Sequence, residues 1–165
     1  KQKTAYEIMP SLVGSEMCIR DRFFIVGRVF RNETLDATHL PEFIQVEGIV
    51  INPNASLAML HYYLKEFYSR LGYDKIKIVP SYFPYTEPSI EIKVFNDSLG
   101  EWIEVGGAGI LRPEIVKCLL NKDIPVLAWG QGLERAVLEK LKLNDLRLIY
   151  KNDLNLLRTK FLFNY

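Results

Sequence analysis

The stretch "FFIVGRVFRNETLDATHLPEFIQVEGIV" (23–50) decides the predicted fold. Residues 23–30 are mostly apolar and partly β-branched, and residues 42–50 alternate apolar and polar side chains, so both are predicted to be strands. Residues 31–41 between them are polar and are predicted to form a loop. Parallel strands need a longer crossover, so this stretch predicts an antiparallel pair.

The rest of the chain adds further strands and a few helices. Apolar residues recur at helical spacing over residues 52–72, and Gly72 is a typical residue to follow a helix. Strands are also predicted at 75–80, 90–95, 101–110 and 124–129, and helices at 112–120 and 133–143. Strands outnumber helices, so the predicted fold class is α+β, an antiparallel sheet flanked by helices. A doubly wound parallel sheet would need a regular alternation of strand and helix that the sequence lacks.

Length and composition limit which classes of protein the chain can belong to. The chain has 165 residues, of which 48% are hydrophobic and 25% charged, as in one soluble globular domain. The 21 basic and 20 acidic residues give a net charge of +1, which argues against a dedicated nucleic-acid-binding arm. Two cysteines are too few for a disulfide framework or a zinc site, so a reducing, cytoplasmic compartment is expected. No apolar run is long enough for a transmembrane helix.

The first residues differ in character from the rest. Lys1–Arg22 show no helical or strand period, do not begin with Met, and lack the uninterrupted apolar run of a signal peptide. The part "SLVGSEMCIRDR" (11–22) resembles the translated sequencing-adapter tail of conceptual proteins from environmental DNA. We therefore expect Lys1–Arg22 to be non-native and residues 23–165 to be a fragment of a domain that continues upstream. A poorly ordered native N-terminus is the alternative.

The second predicted strand carries the first candidate binding residues. Its alternation puts Phe43, Gln45 and Glu47 on one face and the apolar Ile44 and Val46 on the other. An amide and a carboxylate at this spacing can hold an ammonium group, with Glu47 supplying charge and Gln45 a neutral acceptor. A half-exposed strand whose polar residues face water is the alternative.

Two glycines mark a second candidate site. In "LAWGQGLER" (127–135), Gly130 and Gly132 let a flat ligand approach the backbone closely. Arg135 is predicted in the first turn of the next helix, where a cation opposes the helix dipole unless an anion is bound. The third glycine of a dinucleotide fingerprint is missing, which argues against that kind of site. A surface ion pair with Glu134 is the alternative explanation for Arg135.

The loop at residues 31–41 is a candidate phosphate contact. It contains Arg31, Glu33 and His39, and arginine is the side chain best suited to bidentate hydrogen bonding with a phosphate. A solvated charged loop is the alternative.

The segment "FPYTEP" (83–88) offers two aromatic rings. Phe83 and Tyr85 flank a proline, and the residue before a proline is extended, so both rings are predicted to project to the same side. Two rings held in this way can frame an apolar or aromatic ligand. Simple core packing is the alternative.

Together these segments resemble the class II aminoacyl-tRNA synthetases. "GRVFRNE" (27–33), the loop and "FIQVEG" (43–48) resemble motif 2 of that family, and "LAWGQGLER" resembles motif 3. With "YFPYTEPSIEI" (82–92) and "WIEVGGAGILRPEI" (102–115), the string is similar to the catalytic α subunits of phenylalanyl-tRNA synthetases, in the form typical of archaea and the eukaryotic cytosol. The resemblance covers about residues 23–158, and motif 1 is missing.

The resemblance implies an ATP site. Arg31 would contact the α-phosphate and Arg135 the γ-phosphate, and these two arginines are the candidate catalytic residues. The other implied contacts are Glu33 at the adenine amino group, His39 near the phosphates, and Gly130 and Gly132 beneath the adenosine.

The resemblance also implies a phenylalanine site. Gln45 and Glu47 would hold the amino group, and Phe83 and Tyr85 would form the wall around the ring. Ala128 would leave room at the para position. Glu87, which lies beside this wall in the sequence, is the candidate ligand of Mg²⁺.

The implied function is ATP-dependent activation of L-phenylalanine and its transfer to tRNA(Phe), with ATP and Mg²⁺ in the reaction. The implied partners are a β subunit, in a heterotetramer of two α and two β subunits, and the tRNA. Two alternatives stay open, a class II relative that activates another amino acid and a non-catalytic synthetase-like interaction module.

Overall fold

The computed structural model describes residues 21–32, 34–37, 39–96, 100–141, 143 and 145–159. Its strands are β1 (Asp21–Phe30), β2 (Glu42–Ile51), β3 (Ile76–Ser81), β4 (Thr86–Asn96), β5 (Glu101–Leu111) and β6 (Val126–Gly132). Its helices are α1 (Leu57–Arg70), α2 (Pro113–Leu120), α3 (Leu133–Lys140), α4 (Arg147–Tyr150) and α5 (Leu154–Thr159). The predicted α+β class is confirmed. None of these helices has the length and apolar character needed to cross a bilayer.

The strands form one antiparallel sheet in the order β1-β2-β6-β5-β4-β3. The predicted β1–β2 pair is confirmed, with Phe30 opposite Glu42 at its loop end. Every other neighbouring pair in the sheet is also antiparallel. The doubly wound alternative is therefore wrong for the described chain.

Helix α1 is shorter than predicted, because its N-terminal boundary is set by a cap. The Ser56 hydroxyl accepts a hydrogen bond from the Met59 backbone N–H at 3.2 Å, which satisfies one of the free donors of the first turn. Residues 52–56 form a turn instead, in which the Asn54 N–H donates to the Asn52 side chain at 2.9 Å. The predicted C-terminal boundary is confirmed, since Gly72 follows the helix with φ of 83°.

The predicted strand at 124–129 stops before Gly130, but the structure continues it through both glycines, whereas the predicted strand at 101–110 already includes its glycines. Strand β6 runs to Gly132 and β5 to Leu111, past the predicted boundaries at residues 129 and 110. Gly130 is paired on both sides, opposite Glu47 on β2 and Gly107 on β5. The backbone pairing of β6 with β2 on one side and β5 on the other outweighs the low strand propensity of glycine.

The larger of two hydrophobic clusters lies on one face of the sheet, beneath α1. The helix buries Leu60, Leu64 and Tyr68 against the sheet. The Tyr68 hydroxyl donates to Oε1 of Gln131, which ties the helix to β6. The strand residues of this core are Val50, Ile90, Ile92, Val94, Val105, Ala108 and Leu127. On the opposite face, a smaller cluster packs α2 against the strands through Ile51, Val116 and Val126. The rest of that face is available to build a site.

Gly48 on the core face is expected to tolerate no side chain without a local shift. It lies opposite Trp129, and a Cβ at this position would overlap the rigid indole ring. Gly48→Ala is expected to lower the free energy of unfolding by about 1–3 kcal/mol, as overpacking of a core does. Equilibrium urea unfolding followed by tryptophan fluorescence measures this change.

Gly27→Ala is the matched control on the edge strand β1. No described atom lies within 4 Å of the position that its Cβ would take. Alanine also reduces the chain entropy lost on folding, so its effect should be neutral or slightly stabilising. Equal losses of stability in the two variants would contradict the overlap with Trp129.

Candidate functional site

A cavity of about 510 Å³ opens on the face of the sheet opposite α1. Its floor comes from β2, β5 and β6, and its sides come from the β1–β2 loop, the β3–β4 turn and the first turn of α3. The predicted site residues that line it are Arg31, His39, Gln45, Glu47, Phe83, Tyr85, Ala128, Gly130, Gly132 and Arg135. Segments far apart in the sequence thus meet in one cavity. Glu33 lies outside the described residues.

The register of the strands explains the open floor. Glu47 lies opposite Gly130, which lies opposite Gly107, so a charged side chain faces two residues without side chains. A Cβ at Gly107 would come within 2.6 Å of Cζ of Phe83, so the Phe83 ring lies directly on this glycine. The glycines therefore make room for the aromatic ring and for a ligand beside it.

Three polar side chains form a line across the cavity. Nη2 of Arg31 donates to Oε1 of Gln45 at 3.4 Å, and Nε2 of Gln45 donates to Oε1 of Glu47 at 2.7 Å. The side-chain oxygen of Gln45 was predicted to accept a hydrogen bond from a bound ammonium group, beside Glu47. In this arrangement its oxygen faces Arg31 instead, and its N–H group faces the carboxylate.

The β1–β2 loop bends over the cavity. The Arg31 guanidinium lies 5.0 Å from the centre of the Phe43 ring, a cation–π contact. At the other end of the loop, the His39 N–H donates to Asp36 at 2.7 Å, and Nδ1 of His39 lies 3.0 Å from the same carboxylate. Arg31 and His39 both line the cavity and are also exposed to solvent, so a phosphate contact by this loop stays a prediction.

Arg135 and Glu134 have separate partners. Nη1 of Arg135 donates to the Glu104 carbonyl oxygen at 2.9 Å. Glu134 is buried and accepts hydrogen bonds from the Ile44 N–H at 2.6 Å and from the Tyr150 hydroxyl. Burial, followed by the hydrogen bond to Glu134, raises the pKa of the Tyr150 hydroxyl above its ordinary value. The proposed Glu134–Arg135 ion pair is therefore wrong, because the carboxylate anchors α3 to β2 and α4.

The two rings of the β3–β4 turn are arranged as predicted. Phe83 and Tyr85 project to the same side and stack, with ring centres 5.9 Å apart and an angle of 18° between the planes. Tyr85 is 49% exposed, so core packing does not account for it. Both rings line the cavity.

The structure does not bring Glu87 to the cavity. Glu87 follows Thr86, which lines the cavity, and successive strand residues point to opposite faces. Its carboxylate instead lies 3.6 Å from Nη2 of Arg112. Within the described part of the chain, no group of three His, Cys, Asp or Glu residues has the arrangement of a metal site.

Some cavity residues were missed by sequence reasoning. Phe43 was assigned to the correct face but not to the site. Glu104 was missed because the alternation along β5 is interrupted. Ile92 on β4 lies opposite Gly106, but the next residue, Lys93, lies opposite Glu104, so one residue of β5 is passed over. This register shift puts Glu104 and Gly107 on the same face although they are three residues apart, and the glycines inside this strand were the signal that could have suggested a bulge.

Comparison with known proteins gives concordant matches. A family model described as tRNA synthetases class II core domain (F) matches residues 11–160. The phenylalanine–tRNA ligase alpha subunit of Methanoculleus marisnigri is 47% identical over 135 residues, which is 82% of this chain and 28% of that protein. The alpha subunit from Methanococcus vannielii is 45% identical over 155 residues, 94% of this chain and 30% of that protein. The chain therefore spans less than a third of the length of these relatives.

Proposed function

Since the chain belongs to the family of class II tRNA synthetase core domains (F), we propose that it is the catalytic part of a phenylalanyl-tRNA synthetase α subunit. The proposed reaction activates L-phenylalanine with ATP and then transfers the acyl group to tRNA(Phe). The observation that carries the proposal is the single cavity that collects both arginines, the Gln45–Glu47 pair and the stacked rings.

ATP is proposed to lie between the β1–β2 loop and α3. A carboxylate oxygen of phenylalanine attacks the α-phosphorus, the bond to the bridging oxygen breaks, and pyrophosphate leaves. Arg31 would neutralise charge at the α-phosphate and Arg135 at the γ-phosphate, with His39 near the phosphates and Gly130 and Gly132 beneath the adenosine. This work is positioning and charge stabilisation rather than covalent catalysis.

The amino group of phenylalanine is proposed to bind at Glu47. The carboxylate supplies the opposite charge, and Gln45 supplies a second acceptor. The Gln45 oxygen accepts from Arg31 in the present arrangement, so it becomes available when Arg31 turns to a phosphate. The side-chain ring would then lie against Phe83 and Tyr85, with the small Ala128 at its far end.

Mg²⁺ is proposed to bind mainly through the phosphates of ATP. This ion keeps several waters and takes one or two carboxylates beside substrate phosphates, which suits a cavity without a cluster of three acidic ligands in the described chain. Glu104 is the acidic candidate for this role, because it lines the cavity. To bind the ion, the carboxylate of Glu87 would first have to break its ion pair with Arg112. When bound, the ion would neutralise charge on the phosphates.

The similar proteins are named alpha subunits of phenylalanine–tRNA ligases, and this name supports a partner subunit. We propose a β subunit, in a heterotetramer of two α and two β subunits, together with tRNA(Phe), in the cytoplasm.

Amino-acid-dependent ATP–pyrophosphate exchange tests the proposed function. The full-length chain would be co-expressed with its β partner and assayed with each amino acid in turn. Exchange that depends on phenylalanine is the expected result. Exchange with a different amino acid only would identify a class II relative of other specificity, and no exchange with any amino acid would indicate a non-catalytic module.

A further inference from the structure

We propose that Ser89 is a positioning residue whose hydroxyl group holds the β3–β4 turn and so sets the place of the Phe83 and Tyr85 rings. The inference rests on the proposed function, because it assigns those rings to the pocket for the amino-acid side chain. Ser89 lies on β4, behind the turn, and is only 6% exposed.

The Ser89 hydroxyl makes three contacts within the turn. Its Oγ accepts from the Phe83 N–H at 3.1 Å and donates to the Thr86 carbonyl oxygen at 2.9 Å. It also lies 2.7 Å from Oγ1 of Thr86. A hydroxyl has one hydrogen and two lone pairs, so Thr86 must be the donor in this third contact. The hydrogen-bonding capacity of Ser89 is then fully used.

The turn has other anchors that do not depend on Ser89. The Arg112 N–H donates to the Tyr85 carbonyl oxygen at 3.0 Å, and the Thr86 N–H donates to the Phe83 carbonyl oxygen at 3.3 Å. A Cβ at Gly109 would lie 2.6 Å from the Pro88 carbonyl oxygen, so the turn is pressed against β5. Loss of the Ser89 hydroxyl should therefore loosen the turn without unfolding the sheet.

The effect should reach the amino-acid pocket and not the ATP site. The Phe83 backbone is held by Ser89, and its ring lies on Gly107 and stacks on Tyr85. The two arginines proposed for ATP lie on the β1–β2 loop and on α3, which are separate elements. Misplaced rings would therefore weaken binding of phenylalanine while ATP binding stays unchanged.

Ser89→Ala and a matched control test this role in the full-length chain with its β partner. The control is Ser81→Ala, since Ser81 lies opposite Ser89 on β3 and donates to Oε1 of Glu91 at 2.8 Å, away from the turn. Ser89→Ala is expected to raise the KM for phenylalanine about tenfold, with the KM for ATP and the kcat of exchange within about twofold of wild type. Ser81→Ala should match wild type in all three.

Thr86→Val provides a second variant should Ser89→Ala fail to fold. It removes only the hydroxyl contact to Ser89, so a smaller rise in the same KM is expected. Two results would overturn the positioning role but not the proposed function. One is a Ser89→Ala enzyme with the same kinetic constants as Ser81→Ala. The other is a folded Ser89→Ala enzyme in which the KM for phenylalanine and the KM for ATP both rise and kcat falls. For Thr86→Val, an unchanged phenylalanine KM would do the same. Wild-type enzyme without exchange for any amino acid would instead refute the proposed function.

Discussion

Replacing Arg135 by alanine is expected to lower the rate of phenylalanine-dependent ATP–pyrophosphate exchange about 10²–10³-fold, the usual loss for one preorganised charge-stabilising group. The side chain projects from the first turn of α3 and lines the cavity, where a cation opposes the helix dipole. That cost is offset when an anion binds. The loss should appear in kcat as well as in kcat/KM, because the proposed role is to stabilise developing charge.

The fold should tolerate this change. Arg135 makes one exposed hydrogen bond to the Glu104 carbonyl oxygen, and such a bond contributes about 1–3 kcal/mol at most. Arg70→Ala is the matched control, since Arg70 lies on α1 and pairs with Glu66 at 2.8 Å in a surface ion pair. Exchange rates reduced equally in the two variants would contradict a specific role for Arg135.

Replacing Glu47 by glutamine is expected to raise the KM for phenylalanine about 10–100-fold, the equivalent of one lost charge-assisted hydrogen bond. The change keeps the shape of the side chain, and the new amide oxygen can still accept from Nε2 of Gln45. Only the charge opposite the substrate ammonium is removed. The KM for ATP should stay near its wild-type value, because no phosphate contact is proposed for Glu47.

Glu66→Gln on α1 is the control for a lost carboxylate, because Glu66 is paired with Arg70 on a surface helix. An equal KM for phenylalanine in the Glu47→Gln enzyme and in this control would refute the ammonium site. A parallel rise in the KM for ATP would assign Glu47 a different role.

The parts of the fold that were predictable are those set by local pattern. The alternation along β2 and the Gly72 boundary of α1 each follow from neighbouring residues, and both are confirmed. The continuation of β6 through Gly130 was not predictable, because it depends on strands paired from other parts of the chain. The strand propensity of the residues around Gly130 carries no information about pairing with those distant strands.

The candidate site shows the same division. Most predicted residues that line the cavity were candidates from local pattern, and their roles came from motif resemblance, as did Ala128 itself. Glu104 instead depends on a register shift between β4 and β5. One of the two partners of Glu134 is Tyr150, which lies in a short helix that sequence patterns did not define. The prediction that Lys1–Arg22 are non-native concerns a segment of which the structure describes only Asp21 and Arg22.

The most direct test of the central claim is a crystal structure of the full-length chain and its β partner with a non-hydrolysable phenylalanyl-adenylate analogue. The account predicts the ammonium group at Glu47, the phosphate at Arg31, and the ring between Ala128 and the Phe83–Tyr85 stack. An analogue bound outside this cavity, or bound with its ammonium group away from Glu47, would contradict the account.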